Sequence, residues 1–282
     1  MTESEWLVTE ELHTGDLIWA ESPRWRGGEL WISDTQGSKL VVVGAAGPRV
    51  IELESPVNGT WFAPTGHLIA ARMHDTRVDT FDGETWTPYC DLGELSRTGR
   101  LGDMIALADG TVFVDDVTHG EPGQLLRIDA GGHGSVAARD LVFPNGLALI
   151  DEGQTLVVAE TFAGRLSAFT LTPNGLLRDR RVIVDLQAEL GPDYLPDGIC
   201  SLADGSVWVA TTRGGALIRV KDGSVEEQID LDGFVIACCL GENESDLYVT
   251  VAQSLDPGVE VIEAVYKKRT HARALKLGRR TH

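Results

Sequence analysis

One spacing recurs along this chain and constrains its fold more than any other feature. In four segments a residue stands eight positions before a turn glycine, and an apolar run follows the turn. The four pairs are Asn58 and Gly66, Gly102 and Gly110, Asn145 and Gly153, and Asp197 and Gly205. Glu21 and Gly28 form a fifth pair that is one residue shorter. Such repetition predicts a repeat architecture, in which equivalent positions surround a common centre. We call the first member of each pair a marked residue.

The repeats have the length of propeller blades. Six units begin near Glu21, Asn58, Gly102, Asn145, Asp197 and Val235, at intervals of 37 to 52 residues. A four-stranded blade takes about 40–50 residues. Each unit holds short runs rich in β-branched and aromatic residues, and helical patterning is confined to Leu186–Leu190. We therefore predict an all-β, six-bladed β-propeller with four-stranded blades.

The ends of the chain determine how such a ring closes. We predict that residues 6–18 complete the last blade, which leaves no sheet edge exposed. The sixth unit is the least regular, because Phe234–Leu240 is wholly apolar and its turn, Glu242–Ser245, lacks the usual glycine. A five-bladed ring with an irregular closure is the alternative. From Ala264 onward there are seven Lys and Arg residues and no Asp or Glu. We assign residues 1–263 to a single propeller domain and residues 264–282 to a basic C-terminal tail.

Charge and cysteine content narrow the class of function. The formal net charge is −19, which argues against nucleic acid or an anionic membrane as a partner because both repel an acidic surface. No apolar stretch approaches the roughly 20 residues that cross a bilayer, and no secretory signal is visible. The four cysteines fit neither a CxxC metal site nor a disulfide framework. We expect reduced core thiols in a cytoplasmic protein that is a monomer or a small homo-oligomer.

The polar marked residues indicate a binding site. The innermost strand of each propeller blade lines a central channel, so Glu21, Asn58, Asn145 and Asp197 would face one another. Two carboxylates and two amide oxygens suit a hard divalent cation. Asn-Gly and Asp-Gly are also common turn dipeptides, whose side chains often bond only their own backbone. Three such dipeptides at one fixed distance from the same turn favour the site.

Three segments resemble the signatures of a known family. They are Glu21-Ser-Pro-Arg-Trp25, Phe143-Pro-Asn-Gly-Leu-Ala148 and Leu195-Pro-Asp-Gly-Ile199. These segments are similar to those of the SMP-30/gluconolactonase/luciferin-regenerating-enzyme family, and the resemblance extends over nearly all of residues 15–262. It implies a six-bladed propeller that binds one divalent cation and hydrolyses lactones or, in some members, phosphotriester-like compounds. We expect Ca²⁺ first, with Mn²⁺, Mg²⁺ or Zn²⁺ as alternatives.

The resemblance also implies roles for single residues. The metal ligands would be Glu21, Asn145 and Asp197. The substrate-binding residues would be Asn58, His74 and Arg100. We expect Asp197 to act as the general base, with His74 as the alternative because its free pKa lies nearer neutrality. Arg100 would orient a substrate carbonyl or carboxylate through its fork of donors.

One position departs from the family pattern. The segment Arg100-Leu-Gly-Asp-Met104 has Gly102 where the family has an asparagine. This change removes a polar partner and opens space. Together with Trp61, Phe62 and Met73 near the expected mouth, it favours a bulkier or less hydroxylated substrate than a sugar lactone. Ordinary packing between blades is the alternative explanation for these three side chains.

These observations predict a divalent-metal-dependent lactonase, a carboxylic-ester hydrolase with a small-molecule lactone as its partner. One alternative is a metal-dependent organophosphate or ester hydrolase. Another is a non-catalytic, calcium-binding propeller with a regulatory role. A strictosidine-synthase-like condensing enzyme is disfavoured, because such propellers dispense with the metal cluster. The sequence has no G-x-S-x-G nucleophile elbow, phosphate-binding loop or dinucleotide fingerprint.

Overall fold

Six sheets of four strands follow one another around a ring. The computed structural model describes residues 6–117, 119–120 and 122–279. In this part of the chain each sheet has four strands, and the innermost strands of successive sheets contact each other around a central channel. The predicted six-bladed β-propeller is therefore confirmed, and the five-bladed alternative is wrong.

The first three blades follow the first strand in chain order. The first strand is β1 (Trp6–Glu11). Blade 1 consists of β2 (Ala20–Arg26), β3 (Glu29–Asp34), β4 (Lys39–Gly44) and β5 (Gly47–Glu52). Blade 2 consists of β6 (Val57–Phe62), β7 (Leu68–Arg72), β8 (Arg77–Phe81) and β9 (Trp86–Asp91). Blade 3 consists of β10 (Leu101–Ala106), β11 (Val112–Asp116), β12 (Gly123–Ile128) and β13 (Gly134–Leu141).

The remaining blades include the short helices. Blade 4 consists of β14 (Pro144–Ile150), β15 (Thr155–Glu160), β16 (Arg165–Leu171) and β17 (Leu177–Asp185), with 3-10 turns at Asp151–Gly153 and Thr161–Ala163. Helix α1 (Leu186–Leu190) leads to blade 5, with β18 (Pro196–Ser201), β19 (Val207–Thr211), β20 (Ala216–Lys221) and β21 (Ser224–Asp230). The last elements are β22 (Phe234–Leu240), β23 (Asp246–Ser254), α2 (Val261–Tyr266) and β24 (Thr270–Arg279). None of the helices in the described residues is long and apolar enough to span a membrane.

Blade 6 joins the two ends of the chain. Its strand order is β1-β24-β23-β22, so the N-terminal strand closes the ring as predicted. The assignment of residues 264–282 to a separate basic tail is wrong for Thr270–Arg279, which forms β24. Ala272 and Ala274 are buried there, while Arg273 and Lys276 pair with acidic residues of the neighbouring strands. The basic stretch therefore includes a strand in which buried apolar residues alternate with charged ones, and the charged ones pair with acidic residues of β1 and β23. Residues 280–282 lie outside the described part of the chain.

The repeated spacing has a structural cause. Each marked residue is the second residue of an innermost strand, namely β2, β6, β10, β14 or β18. The paired glycine lies in the turn after that strand. Gly28, Gly66, Gly110, Gly153 and Gly205 have φ values of 84°, 98°, 89°, 84° and 80°. This left-handed region favours glycine, which has no Cβ to clash with the backbone.

Apolar side chains are buried between blades. The described residues form six hydrophobic clusters, one at each interface between neighbouring blades. The interface of blades 1 and 2 has the smallest set of buried side chains, Leu40, Leu68 and Phe81. Polar contacts supplement it, including a hydrogen bond of 2.6 Å from Ser33 Oγ to the Val57 carbonyl oxygen. Because these cores lie between blades, the centre of the ring stays open for polar side chains.

Candidate functional site

The marked residues meet in one cavity. Glu21, Asn58, Gly102, Asn145 and Asp197 all line a cavity of about 310 Å³ at one end of the inner strands. The structure thus brings together the four polar side chains that the repeats predict. Each comes from a different blade, so no single segment of the chain could form this site.

The other two predicted site residues differ in their placement. Arg100 lies immediately before β10 and lines the same cavity, and its buried Nε has no hydrogen-bond partner. His74 lies in an exposed turn after β7 and is not among the residues that line the cavity. The structure therefore places Arg100 at the site and His74 outside it.

The glycines that follow the marked residues permit close approach of neighbouring strands. Gly59 and Gly146 lie within strands and do not have positive φ. A Cβ on Gly59 would lie 2.5 Å from the carbonyl oxygen of Gly102, and one on Gly146 would lie 2.4 Å from that of Asp197. The Asn-Gly dipeptides thus bring the inner strands of adjacent blades together. They are not turns, so the turn interpretation of the sequence is wrong here.

Several oxygen atoms in the site are buried without a hydrogen-bond partner. Trp19 Nε1 donates to Glu21 Oε1 at 2.9 Å, whereas Glu21 Oε2 has no partner. Asn58 Oδ1 and Asp197 Oδ1 are also unpartnered. Asn145 Nδ2 donates to Thr161 Oγ1 at 3.4 Å, which orients the amide at the cavity wall. Buried polar atoms normally have partners, so these oxygens are arranged for a ligand.

Two further carboxyl groups lie in or beside the cavity, and neither was predicted from the sequence. Asp115 on β11 lines the cavity, and Asp103 on β10 is buried next to Gly102. In both residues Oδ1 has no hydrogen-bond partner. The one available signal was a pair of acidic residues ending the apolar strand Val112–Asp116. That signal does not show which of the two faces the channel.

Burial and mutual repulsion act on these carboxyl groups. Burial, with the charge of Asp103, raises the pKa of Glu21 to about 8, although the Trp19 hydrogen bond and the charge of Arg100 oppose the shift. Burial, followed by the charge of Glu21, raises the pKa of Asp197 well above its usual value. Burial also raises the pKa values of Asp103 and Asp115. Ionising this cluster is costly unless positive charge enters the cavity.

A divalent cation fits this set of donors. The unpartnered atoms are carboxylate and amide oxygens, which are the ligands that Ca²⁺ and Mg²⁺ prefer. A cation would also neutralise the charge that burial disfavours. Among the described residues, no three His, Cys, Asp or Glu side chains form a ready-made metal-binding group. The predicted ligands Glu21, Asn145 and Asp197 comprise two carboxylates and one amide, so they do not require such a group.

The mouth of the cavity is largely aromatic. His119, Phe143 and Phe162, which we call the aromatic rim, have ring centroids 4.5 to 5.4 Å apart. Val265 and Tyr266 of α2 also line the cavity. Met73 lines it as expected. Trp61 and Phe62 instead line a second cavity formed by the other ends of the inner strands, so the expectation that these two lie at the mouth is wrong.

Known proteins share this architecture and sequence pattern. Residues 19–253 match the SMP-30/gluconolactonase/LRE-like region. Regucalcin of Bos taurus is 30% identical over 266 residues, which cover 88% of this chain and 86% of the relative. Regucalcin of Xenopus laevis is 24% identical over 265 residues, with coverage of 88% and 86%.

Solved structures resemble the fold over almost the whole chain. A calcium-binding protein, regucalcin, from Agrobacterium tumefaciens is 19% identical with a TM-score of 0.79, over 98% of this chain and 96% of that one. A gluconolactonase from Xanthomonas campestris is 21% identical with a TM-score of 0.76, over 98% and 89%. The match to residues 19–253 shows that this chain belongs to the SMP-30/gluconolactonase/LRE-like family.

Proposed function

We propose that this protein is a divalent-cation-dependent hydrolase that opens a lactone ring. The observation that supports it is the convergence of unpartnered, buried oxygens of Glu21, Asn58 and Asp197 in one cavity. Membership of a family that includes gluconolactonases and calcium-binding regucalcins supports a lactonase-like or calcium-binding role in general.

Glu21, Asn145 and Asp197 would hold the cation, with Ca²⁺ first among the candidates and Mn²⁺, Mg²⁺ and Zn²⁺ as alternatives. When bound, the cation would supply Lewis-acid stabilisation of the oxyanion that develops at the lactone carbonyl. The donor set favours a hard cation because every unpartnered acceptor in it is an oxygen.

Asp197 would act as the general base. It accepts a proton from the attacking water as the water oxygen bonds to the carbonyl carbon, and the proton then goes to the ring oxygen when the ester C–O bond breaks. Arg100 would donate from its unpartnered Nε to a carbonyl or carboxylate oxygen of the substrate. The exposed position of His74 gives no support to its role as the alternative base.

The mouth of the cavity favours an apolar or bulky substrate. The aromatic rim contributes three rings, and Val265 and Tyr266 add apolar surface from α2. A sugar lactone would need polar partners for its several hydroxyl groups. A lactone with a hydrophobic substituent fits this mouth better, because burying apolar area against the rings is favourable.

The test compares the wild type with Asp197→Asn on a panel of lactones, and a pH indicator measures the acid that ring opening releases. Chelated protein would receive Ca²⁺, Mn²⁺, Mg²⁺ or Zn²⁺ before each measurement. We expect the variant to lose cation-dependent ring opening, while Asp222→Asn, an exposed change in the same blade, keeps it. Full activity of Asp197→Asn across the panel would contradict the proposal.

The same experiment separates the remaining functions. The buried, unpartnered oxygens would bind Ca²⁺ with or without catalysis, so a non-catalytic calcium-binding propeller is the second candidate. It predicts thermal stabilisation of the wild type by Ca²⁺ without turnover of any ester. Turnover of a paraoxon-type ester, with none of the lactones, would instead identify an organophosphate hydrolase.

We also propose that the protein acts in the cytoplasm, as a monomer or small homo-oligomer. Its four cysteines are free thiols, which a reducing compartment maintains.

A further inference from the structure

Blade 3 differs from its neighbours at one pair of facing positions. Its marked residue is Gly102. Leu101 pairs with Asp116 and Met104 pairs with Val114, so a register shift leaves Gly102 and Asp103 together facing Asp115. A Cβ on Gly102 would lie 2.3 Å from Asp115 Oδ1. The carboxylate therefore occupies the space that any side chain at residue 102 would need.

Blades 1, 2, 4 and 5, which have the other four marked residues, show the reverse arrangement. Where the marked residue is polar, the facing position on the second strand is small. Glu21 pairs with Ser33. Blades 2, 4 and 5 have the same register shift as blade 3, so the marked residue and the glycine after it together face one alanine, namely Ala71, Ala159 and Ala210. Blade 3 thus exchanges the small and the polar residue between its two inner strands.

Asp115 does not share the structural role of its neighbour. Asp116 accepts hydrogen bonds from Ser96 Oγ and the Arg97 backbone N–H, both at 2.7 Å, and so anchors the preceding loop. Asp115 Oδ2 accepts from the Asp103 backbone N–H at 2.7 Å. Its Oδ1 has no partner although the side chain is fully buried, and it lines the cavity. A buried carboxylate oxygen without a hydrogen-bond partner destabilises the fold unless a ligand interacts with it.

We propose that Asp115 adds a negative charge to the cation site and takes the place of the polar side chain missing at residue 102. This inference rests on the proposed function. Since no three acidic side chains of the described residues form a direct metal-binding group, Asp115 acts through its charge across the cavity, as a positioning residue. The cation site of this protein therefore draws on the second strand of blade 3 as well as on the innermost strands.

The first experiment measures Ca²⁺ binding to chelated Asp115→Asn by isothermal titration calorimetry. We expect the Kd to rise roughly tenfold, because charge count tunes Ca²⁺ affinity. We also expect the Tm without cation to stay or rise, since a repelling buried charge is removed, and the Tm gain on adding Ca²⁺ to shrink. The control is Asp116→Asn, which should lower the Tm and keep the Kd near that of the wild type.

The outcomes distinguish this inference from the function on which it rests. A wild type that binds Ca²⁺ and an Asp115→Asn variant with the same Kd would overturn only the inference. A lower Tm with an unchanged Kd would likewise assign Asp115 a structural role alone. A wild type that binds none of the four cations would overturn both.

A second pair of variants tests whether residue 102 and Asp115 compete for the same space. This test stays informative even if Asp115→Asn fails to fold. We expect Gly102→Asn to lower the Tm strongly, because its Cβ meets the Asp115 carboxylate. Adding Asp115→Gly should restore most of the Tm, while Ca²⁺ affinity stays below that of the wild type because a charge is lost. A Gly102→Asn variant as stable as the wild type, or a double variant with wild-type affinity, would overturn the inference.

Discussion

Glu21 links the site to pH. In the folded, cation-free protein its pKa is about 8, whereas its ordinary value is 4.5. Between these values the folded state binds more protons than the unfolded chain, so the free energy of unfolding falls as the pH rises through this window. A cation replaces the proton as the counter-charge and removes most of this fall.

We therefore expect the Tm of chelated protein to drop as the pH rises from about 5 to about 8, and the drop to be much smaller in excess Ca²⁺. Differential scanning calorimetry across this range, with and without Ca²⁺, gives the measurement. Glu21→Gln is the control, because it should make the drop of the chelated protein smaller, while the other buried carboxyl groups of the site keep their share of it. Identical pH dependence in all three samples would refute this assignment.

Gly146 is required because a neighbouring strand approaches it closely, whereas the turn glycines are required for their positive φ. We expect Gly146→Ala to cost about 1–3 kcal/mol, because its Cβ meets the Asp197 carbonyl oxygen. It should also weaken Ca²⁺ binding by displacing Asn145. Gly205→Ala is the comparison: no atom lies within 4 Å of its Cβ, and only its φ of 80° is strained, so it should cost about 1 kcal/mol and leave binding intact. Urea denaturation and calorimetry measure both, and equal binding losses would contradict the close-approach explanation.

The sequence predicted the marked residues because their spacing repeats and each sits at the same strand position. It could not predict Asp115, which reaches the site only through the pairing of β10 with β11. The local sequence of Val112–Asp116 does not show which residues of β10 these residues face. His74 was predicted to bind substrate but lies exposed outside the cavity. Its position depends on the path of the turn after β7, which the local sequence does not show either.

At the scale of elements, short turns form the mouth of the cavity. The 3-10 turn Thr161–Ala163 positions Phe162, which is 46% exposed. We expect Phe162→Ala to raise the KM for a lactone with a bulky apolar substituent roughly tenfold, and to change the KM for a small unsubstituted lactone much less. The Tm should change little because the ring is half exposed. Phe162→Leu should retain most of the preference, and a uniform effect on both substrates would argue against a role in substrate selection.

Element boundaries show where periodicity is informative. The helix at Leu186–Leu190 was predicted because Gly191 and Pro192 end its pattern, and α1 has these bounds. Helix α2 was not predicted, because its six residues are too few to show a helical period. Strand β24 was not predicted, because its basic residues conceal the alternation of its apolar ones. In β24 the small apolar residues alternate with those charges, and only the pairing with β1 and β23 gives this alternation a buried side.

At the scale of the whole molecule, stability depends on the closure of the ring. Trp6 of β1 is buried and packs edge-on against Trp208 of blade 5, with ring centroids 6.1 Å apart. We expect Trp6→Ala to lower the free energy of unfolding by about 3–5 kcal/mol. Val8→Ala, on the same strand but exposed, should have little effect. Urea denaturation measures both, and the folded fraction of Trp6→Ala should keep its Ca²⁺ affinity, since the predicted ligands lie in blades 1, 4 and 5.

The strand order of blade 6 also means that this blade cannot be completed until late in the synthesis of the propeller. In chain order β1 precedes blades 1 to 5, whereas its partner β24 follows them and the other strands of blade 6. Until Thr270–Arg279 has emerged, β1 has no strand to pair with and β23 has one unpaired edge. Unpaired strands are where chains associate wrongly, so nascent copies of this chain are most exposed to such association before β24 has been made.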